Sequence, residues 1–160
     1  MAVRAPRAGA ADQPCGDLAR PAALAASLRA LHPDVVVNAA AYTAVDRAEN
    51  EQALAFRVNA EAPGVLARAC ADAGIGLVHF STDYVFDGSK SAPYVETDPV
   101  APLGVYGRSK LAGEEAVAAA NPGSLVNNEY WRFGTPRPAT PPGGTQGQRP
   151  PATGQRPPVP

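Results

Sequence analysis

Apolar residues recur at helical spacing in "RPAALAASLRALHPD". Leu24, Leu28 and Leu31 stand four and three apart, the stripe of an amphipathic helix. Pro21 suits a first helical turn, where its missing N–H costs nothing, and Pro33 ends the pattern. In "DVVVNAAA" the period breaks. Val35, Val36 and Val37 form an unbroken β-branched run, which predicts a short strand buried on both faces of a parallel sheet. Residues 45–74 return to helical spacing, with a break or kink expected near Pro63 and a C-terminal cap at Gly74. "IGLVHFSTDYVF" predicts a second buried strand. A loop with several prolines then leads to a helix in "VYGRSKLAGEEAVAAA", which "NPG" ends at Asn121 to Gly123; "SLVNNEYW" predicts a weak third strand.

Helix and strand thus alternate, which predicts an α/β fold: a doubly wound parallel sheet, its right-handed crossovers putting helices on both faces. In such sheets the chemistry lies beyond the carboxyl ends of the strands. Asn38 to Thr43 leave the first strand there and Ser81 to Tyr84 leave the second, and the helix carrying Tyr106 is expected to begin at the same edge.

Composition narrows the picture. The 160 residues suffice for one domain with a real core, and the net charge of −1 offers no broad basic face for nucleic acid or an anionic membrane. No apolar run approaches the roughly 18 residues of a membrane span, and no apolar signal-peptide core opens the chain. Cys15 and Cys70 form neither a disulfide framework nor a metal-spaced set, so no metal is expected and a reducing, cytoplasmic setting is the default. His79, without a cysteine or carboxylate partner at metal spacing, reads as a packed, hydrogen-bonded side chain. Half of the 18 prolines fall in "GTPRPATPPGGTQGQRPPATGQRPPVP", which has no apolar period. Residues 131–160 therefore read as a low-complexity disordered tail, residues 1–14 as an unstructured or remnant N-terminus, and residues 15–130 as the folded unit.

The candidate chemistry centres on "VYGRSKLAGE". Tyr106 and Lys110 lie one helical turn apart on one face. A phenol with a pKa of about 10 is a poor acid or base at neutral pH, and a neighbouring ammonium pulls that value down. Ser81 or Thr82 at the strand end could hydrogen-bond a substrate carbonyl and turn it toward the phenol, and Asp83 could bind a substrate hydroxyl or adjust the proton balance. Asn38 and Asn59 read as residues that satisfy backbone groups, and the acids of "DRAENE" as a solvated helix face. Tyr94 and Glu96 lie in the loop before the Tyr106 helix as lesser candidates.

The blocks "HPDVVVNAAAYTAVDRAENEQALAFRVN", "HFSTDYVFDG" and "ETDPVAPLGVYGRSKLAGE" resemble consecutive segments of the extended short-chain dehydrogenase/reductase superfamily, in its dTDP-4-dehydrorhamnose reductase branch. The resemblance implies a partial Rossmann-like sheet. It also implies NADPH- or NADH-dependent reduction of the 4-keto group of a nucleotide-sugar substrate, dTDP-4-dehydro-L-rhamnose, to dTDP-L-rhamnose. On this likeness Tyr106 would protonate the nascent alkoxide, Lys110 would hold the nicotinamide ribose, Thr82 would align the carbonyl and Asp83 would contact the sugar. Ala41, Tyr42 and Thr43 match a segment lining the cofactor, and Asp17 and Leu18 match one near the adenine.

The family pattern also opens with a strand, a Gly-rich phosphate turn and a helix, and closes with a substrate lobe; neither is legible here, since Gly9 stands alone. The expectation is a truncated copy with impaired turnover. Two alternatives share the scaffold: a non-catalytic regulatory or binding module, and another nucleotide-sugar reductase or epimerase of the superfamily. An oligomer is compatible with the sequence but is not readable from it.

Overall fold

The computed structural model describes residues 16–128. The expected remnant N-terminus and Pro-rich tail lie outside the described residues. Helix α1 (Pro21–Leu31) opens with its proline in the first turn. It closes through His32 in the left-handed region at φ 44°, with the His32 N–H returning to the Leu28 carbonyl. Strand β1 (Val35–Asn38) follows, then the short helices α2 (Val45–Ala48) and α3 (Gln52–Phe56). A π turn over Arg57–Glu61 runs directly into α4 (Ala62–Ala73), which Gly74 caps at φ 68°. Strand β2 (Gly76–Phe80), a 3₁₀ turn (Asp83–Val85), helix α5 (Val105–Ala120) and strand β3 (Leu125–Asn127) complete the order.

The three strands form one parallel sheet in the order β1-β2-β3, with Val36 opposite Leu77, Asn38 opposite His79, and His79 opposite Val126. Those five residues share a face. Against it pack Leu24 and Leu28 of α1, Leu66 and Cys70 of α4 and Val117 of α5, the main core.

The parallel sheet with flanking helices is as expected, but among the described residues helices cover one face only. On the other face Val35 and Val37 of β1 are each 45% exposed and Leu125 is 60% exposed. A right-handed crossover puts its helix on the face set by the direction in which the sheet grows. Both described crossovers advance the sheet the same way, so α4 and α5 land together, and a change of face needs a reversal of strand order. A run of three valines specifies a strand but cannot say how many of its faces are covered.

The kink expected near Pro63 is instead the π turn immediately before it. Its extra residue points Asn59 inward, 1% exposed, against α5. The close approach is visible at Gly113, where a Cβ would stand 2.0 Å from the Asn59 carbonyl oxygen. No described helix is long and apolar enough to cross a membrane.

Candidate active site

The loops leaving β1 and β2 meet the N-terminal half of α5. Val105 and Tyr106 are buried in a second apolar cluster with Ala48 and Ala55, and Tyr42 and Val45 pack against it. The Tyr106 ring meets Tyr84 edge-on at 5.4 Å between centroids. Gly107 permits this contact, because a Cβ there would lie 2.3 Å from the Tyr84 carbonyl oxygen.

Burial pushes the Tyr106 phenol above its ordinary pKa; the Thr82 hydroxyl opposes that rise, while Asp83 and Tyr84 add to it. Thr82 itself donates to an Asp83 carboxylate oxygen at 3.3 Å and accepts the Tyr84 N–H at 3.3 Å. Lys110 is 2% exposed, and its ammonium donates to the Phe80 carbonyl at 2.6 Å. Burial lowers Lys110 to about 8, with the Glu114 charge opposing. The expected tuning of the phenol by the ammonium is therefore corrected. Lys110 is spent on a strand-end carbonyl, and desolvation, which favours the neutral phenol, dominates at Tyr106.

One asparagine ties the β1 exit to α5. Asn59 accepts the Tyr42 N–H at 2.8 Å and donates to the Tyr42 carbonyl at 3.0 Å. It also donates to the Ser109 hydroxyl at 3.0 Å, which in turn donates to the Tyr106 carbonyl at 2.8 Å. Asn38 plays a parallel part under the sheet edge: its amide bonds His79 Nδ1 at 3.0 Å, and its oxygen accepts the Ala40 N–H at 3.4 Å. That bond leaves the His79 proton on Nε2, a buried atom with no hydrogen-bond partner among the described residues. Burial and the Lys110 charge hold His79 near 4, so it stays neutral.

Tyr106, Lys110, Thr82, Asp83 and Tyr42 are thus brought to one region, with Ala41 and Thr43 beside Tyr42 in the chain. Asp17 and Leu18 are not part of that cluster. Asp17 is exposed and accepts the Ala19 N–H at 2.9 Å, while Leu18 packs on the α1–α4 core. Leu18 does share a groove of about 280 Å³ with Leu28, Val36, Asn38 and Ala40, between α1 and the open edge of β1. Tyr94 braces its own loop, stacked on Phe86 at 4.2 Å and donating to Asp87 at 3.0 Å.

Three acids escaped the sequence reading. Glu49 accepts the Val105 N–H at 2.7 Å and so caps α5, and Glu51 accepts the Tyr42 hydroxyl at 2.6 Å. Neither is a merely solvated helix face. Glu114 accepts the Ser81 hydroxyl, which therefore faces away from any substrate and leaves Thr82 as the strand-end hydroxyl beside the phenol. Only Glu114 had a legible signal, its helical spacing of four from Lys110. Among the described residues no group of three or more His, Cys, Asp or Glu is placed to hold a metal.

The family model described as the RmlD substrate binding domain matches residues 3–139. The chain belongs to this family. It is 56% identical over 117 residues to a dTDP-4-dehydrorhamnose reductase of Burkholderia thailandensis, covering 73% of this chain and 39% of that protein. A relative of the same name from Salmonella typhimurium is 48% identical, at 74% and 40% coverage. The structure matches the crystal structure of a dTDP-4-dehydrorhamnose reductase from Clostridium acetobutylicum with a TM-score of 0.70 and 39% identity, covering 76% of this chain and 44% of that one. It also matches the Bacillus anthracis reductase in complex with NADP, with a TM-score of 0.66 and 35% identity over 69% and 39% of the two chains. This family member therefore spans about two fifths of the length of these relatives, and its Rossmann-like parallel sheet is theirs.

Proposed function

We propose that this chain carries the proton-donating site of a dTDP-4-dehydrorhamnose reductase, acting on the 4-keto group of dTDP-4-dehydro-L-rhamnose to give dTDP-L-rhamnose. The observation that carries the reading is the placement of the Tyr106 phenol beside Thr82, at the carboxyl edge of a parallel sheet and one turn from buried Lys110. Reduction needs an acid that still holds its proton at neutral pH, and a phenol raised by burial does so.

NADPH, when bound, supplies the hydride. The carbonyl π pair moves onto oxygen as the new C–H bond forms, and Tyr106 transfers its phenolic proton to that oxygen, leaving a phenolate. Thr82 orients the carbonyl by a hydrogen bond, Asp83 contacts the sugar, and Lys110 would hold the nicotinamide ribose. The groove beside Leu18, Asn38 and Ala40 is apolar and open at the sheet edge, which suits a planar base. Ala41, Tyr42 and Thr43 follow Ala40 in the chain and would line the cofactor beyond the groove. Among the described residues no Gly-rich turn stands at a helix N-terminus, so the described groups fit the base and ribose sides of such a cofactor.

The test is a calorimetric titration of NADPH into the purified chain, followed by NADPH consumption with the nucleotide sugar. Binding is expected, with consumption that falls by about 100-fold or more in Tyr106→Phe. A folded chain that does not bind NADPH overturns the reading and favours a non-catalytic module on the same scaffold.

A further inference from the structure

The buried ammonium of Lys110 raises a question that the tyrosine–lysine pair does not answer. Its single described hydrogen bond is to a neutral carbonyl, that of Phe80, and no carboxylate among the described residues forms an ion pair with it. An ionised group held this far from water needs compensation. One turn further along α5 stands Glu114. Its Oε1 accepts two hydrogen bonds, from the Ser81 hydroxyl at the exit of β2 and from the Asn128 amide at 3.1 Å just past β3. Burial pushes the Glu114 carboxyl above its ordinary pKa, and the Ser81 and Asn128 bonds and the Lys110 charge pull it back toward the ionised form. Glu114 thus fastens α5 to both strand ends from which the site is built.

We propose that Glu114 is a positioning residue for the Tyr106–Lys110 site: it pins Ser81 so that Thr82 reaches the phenol, and supplies the negative charge that keeps Lys110 an ammonium. The proposal deepens the reductase reading and rests on it for the site's purpose. The titratable groups around Lys110 are few. His79 faces it from β2 and is neutral, Tyr106 and Glu114 share its helix, Glu115 acts on Glu114, and Asp83 acts on Tyr106. Glu114 is the carboxylate that favours the charged lysine, against the burial that disfavours it.

The chain contains two lysines, Lys90 and Lys110, so ¹³C-labelled lysine gives two side-chain NMR signals. Lys90 pairs with Asp98 in an outlying loop and serves as an internal control. The whole chain is titrated as wild type, Glu114→Gln and Glu114→Asp. In wild type Lys110 is expected to titrate near 8. Glu114→Gln keeps an acceptor for Ser81 but loses the charge, so the Lys110 midpoint is expected to drop by about half a pH unit or more, with Lys90 unmoved. Glu114→Asp, shorter but still anionic, is expected to retain most of the wild-type midpoint. An unchanged Lys110 midpoint in Glu114→Gln, or an equal drop in both variants, overturns the proposal. The readout needs no cofactor, so failure of NADPH to bind would remove the reductase reading and leave this result standing.

Discussion

At the scale of single residues, the site is governed by desolvation more than by pairing. Lys110 and His79 are both buried, and both are displaced toward their neutral forms. For Lys110 this sets a pH limit on the proposed function. Above about 8 the ammonium loses its proton, so affinity for anionic NADPH is expected to fall as pH rises through that value, in calorimetric titrations at a series of pH values. For His79 the consequence is stability. The folded pKa near 4 lies below the ordinary 6.5, so between those values the unfolded chain takes up a proton that the folded chain refuses. Stability is complete above 6.5 and is lost as pH falls toward 4, on the order of 3 kcal/mol for the full shift. Urea unfolding at pH near 7 and near 5 is expected to show this loss in wild type and a smaller one in His79→Gln; equal losses would remove His79 as the cause. The reacting groups themselves were legible, because Tyr106, Lys110 and Thr82 sit in short local patterns. Their electrostatic state was not. Spacing on a helix shows that two side chains share a face, whereas Lys110 is claimed by a carbonyl thirty residues away in the chain, at Phe80.

At the scale of elements, α5 is held by contacts that leave no room for a methyl group. Gly113 lies against the backbone of the π turn, and the Asn59 carbonyl cannot withdraw without breaking the bonds from Asn59 to Tyr42 and Ser109. Gly113→Ala is therefore expected to cost about 3 kcal/mol or more, read as a lowered midpoint in thermal or urea unfolding by circular dichroism. Gly123→Ala is the control: its Cβ would meet only the Asn121 side-chain oxygen at 3.6 Å, and a change within about 0.5 kcal/mol is expected. Similar losses in both would show that helix propensity or general loosening, not the close approach, is responsible. Elements as such were legible: α1, the two strands and both ends of α5 fall where the periodicity and the proline and glycine stops put them. The π turn was not. Its cause is the tertiary demand that Asn59 face α5, and no local pattern in "FRVNAEAP" distinguishes that from a proline kink.

At the scale of the whole molecule, the described sheet has one dressed face and one bare one. Val35, Val37, Val78, Phe80 and Leu125 alternate onto the side opposite α1, α4 and α5, and among the described residues no helix packs there. Three of the five are exposed and the other two are only partly covered. A parallel sheet is ordinarily covered on both faces, and a contiguous apolar patch of this kind drives association or captures apolar probes. The purified 160-residue chain is therefore expected to bind an apolar dye such as ANS and to sediment with a mass that rises with concentration. Exchanging Val35, Val37 and Leu125 for threonine keeps β-branched residues at two strand positions and removes apolar surface without touching the α1–α4–α5 core. Both signals are then expected to fall, while the far-ultraviolet dichroism stays the same. The same three substitutions leave Tyr106, Lys110 and Thr82 in place, but Val35 and Val37 also line the groove beside Leu18 and Ala40, so a base seated there is expected to bind more weakly in the variant. A triple variant that still binds dye and still associates as wild type does would mean that both signals arise elsewhere on the chain, and the apolar face would lose its part in association.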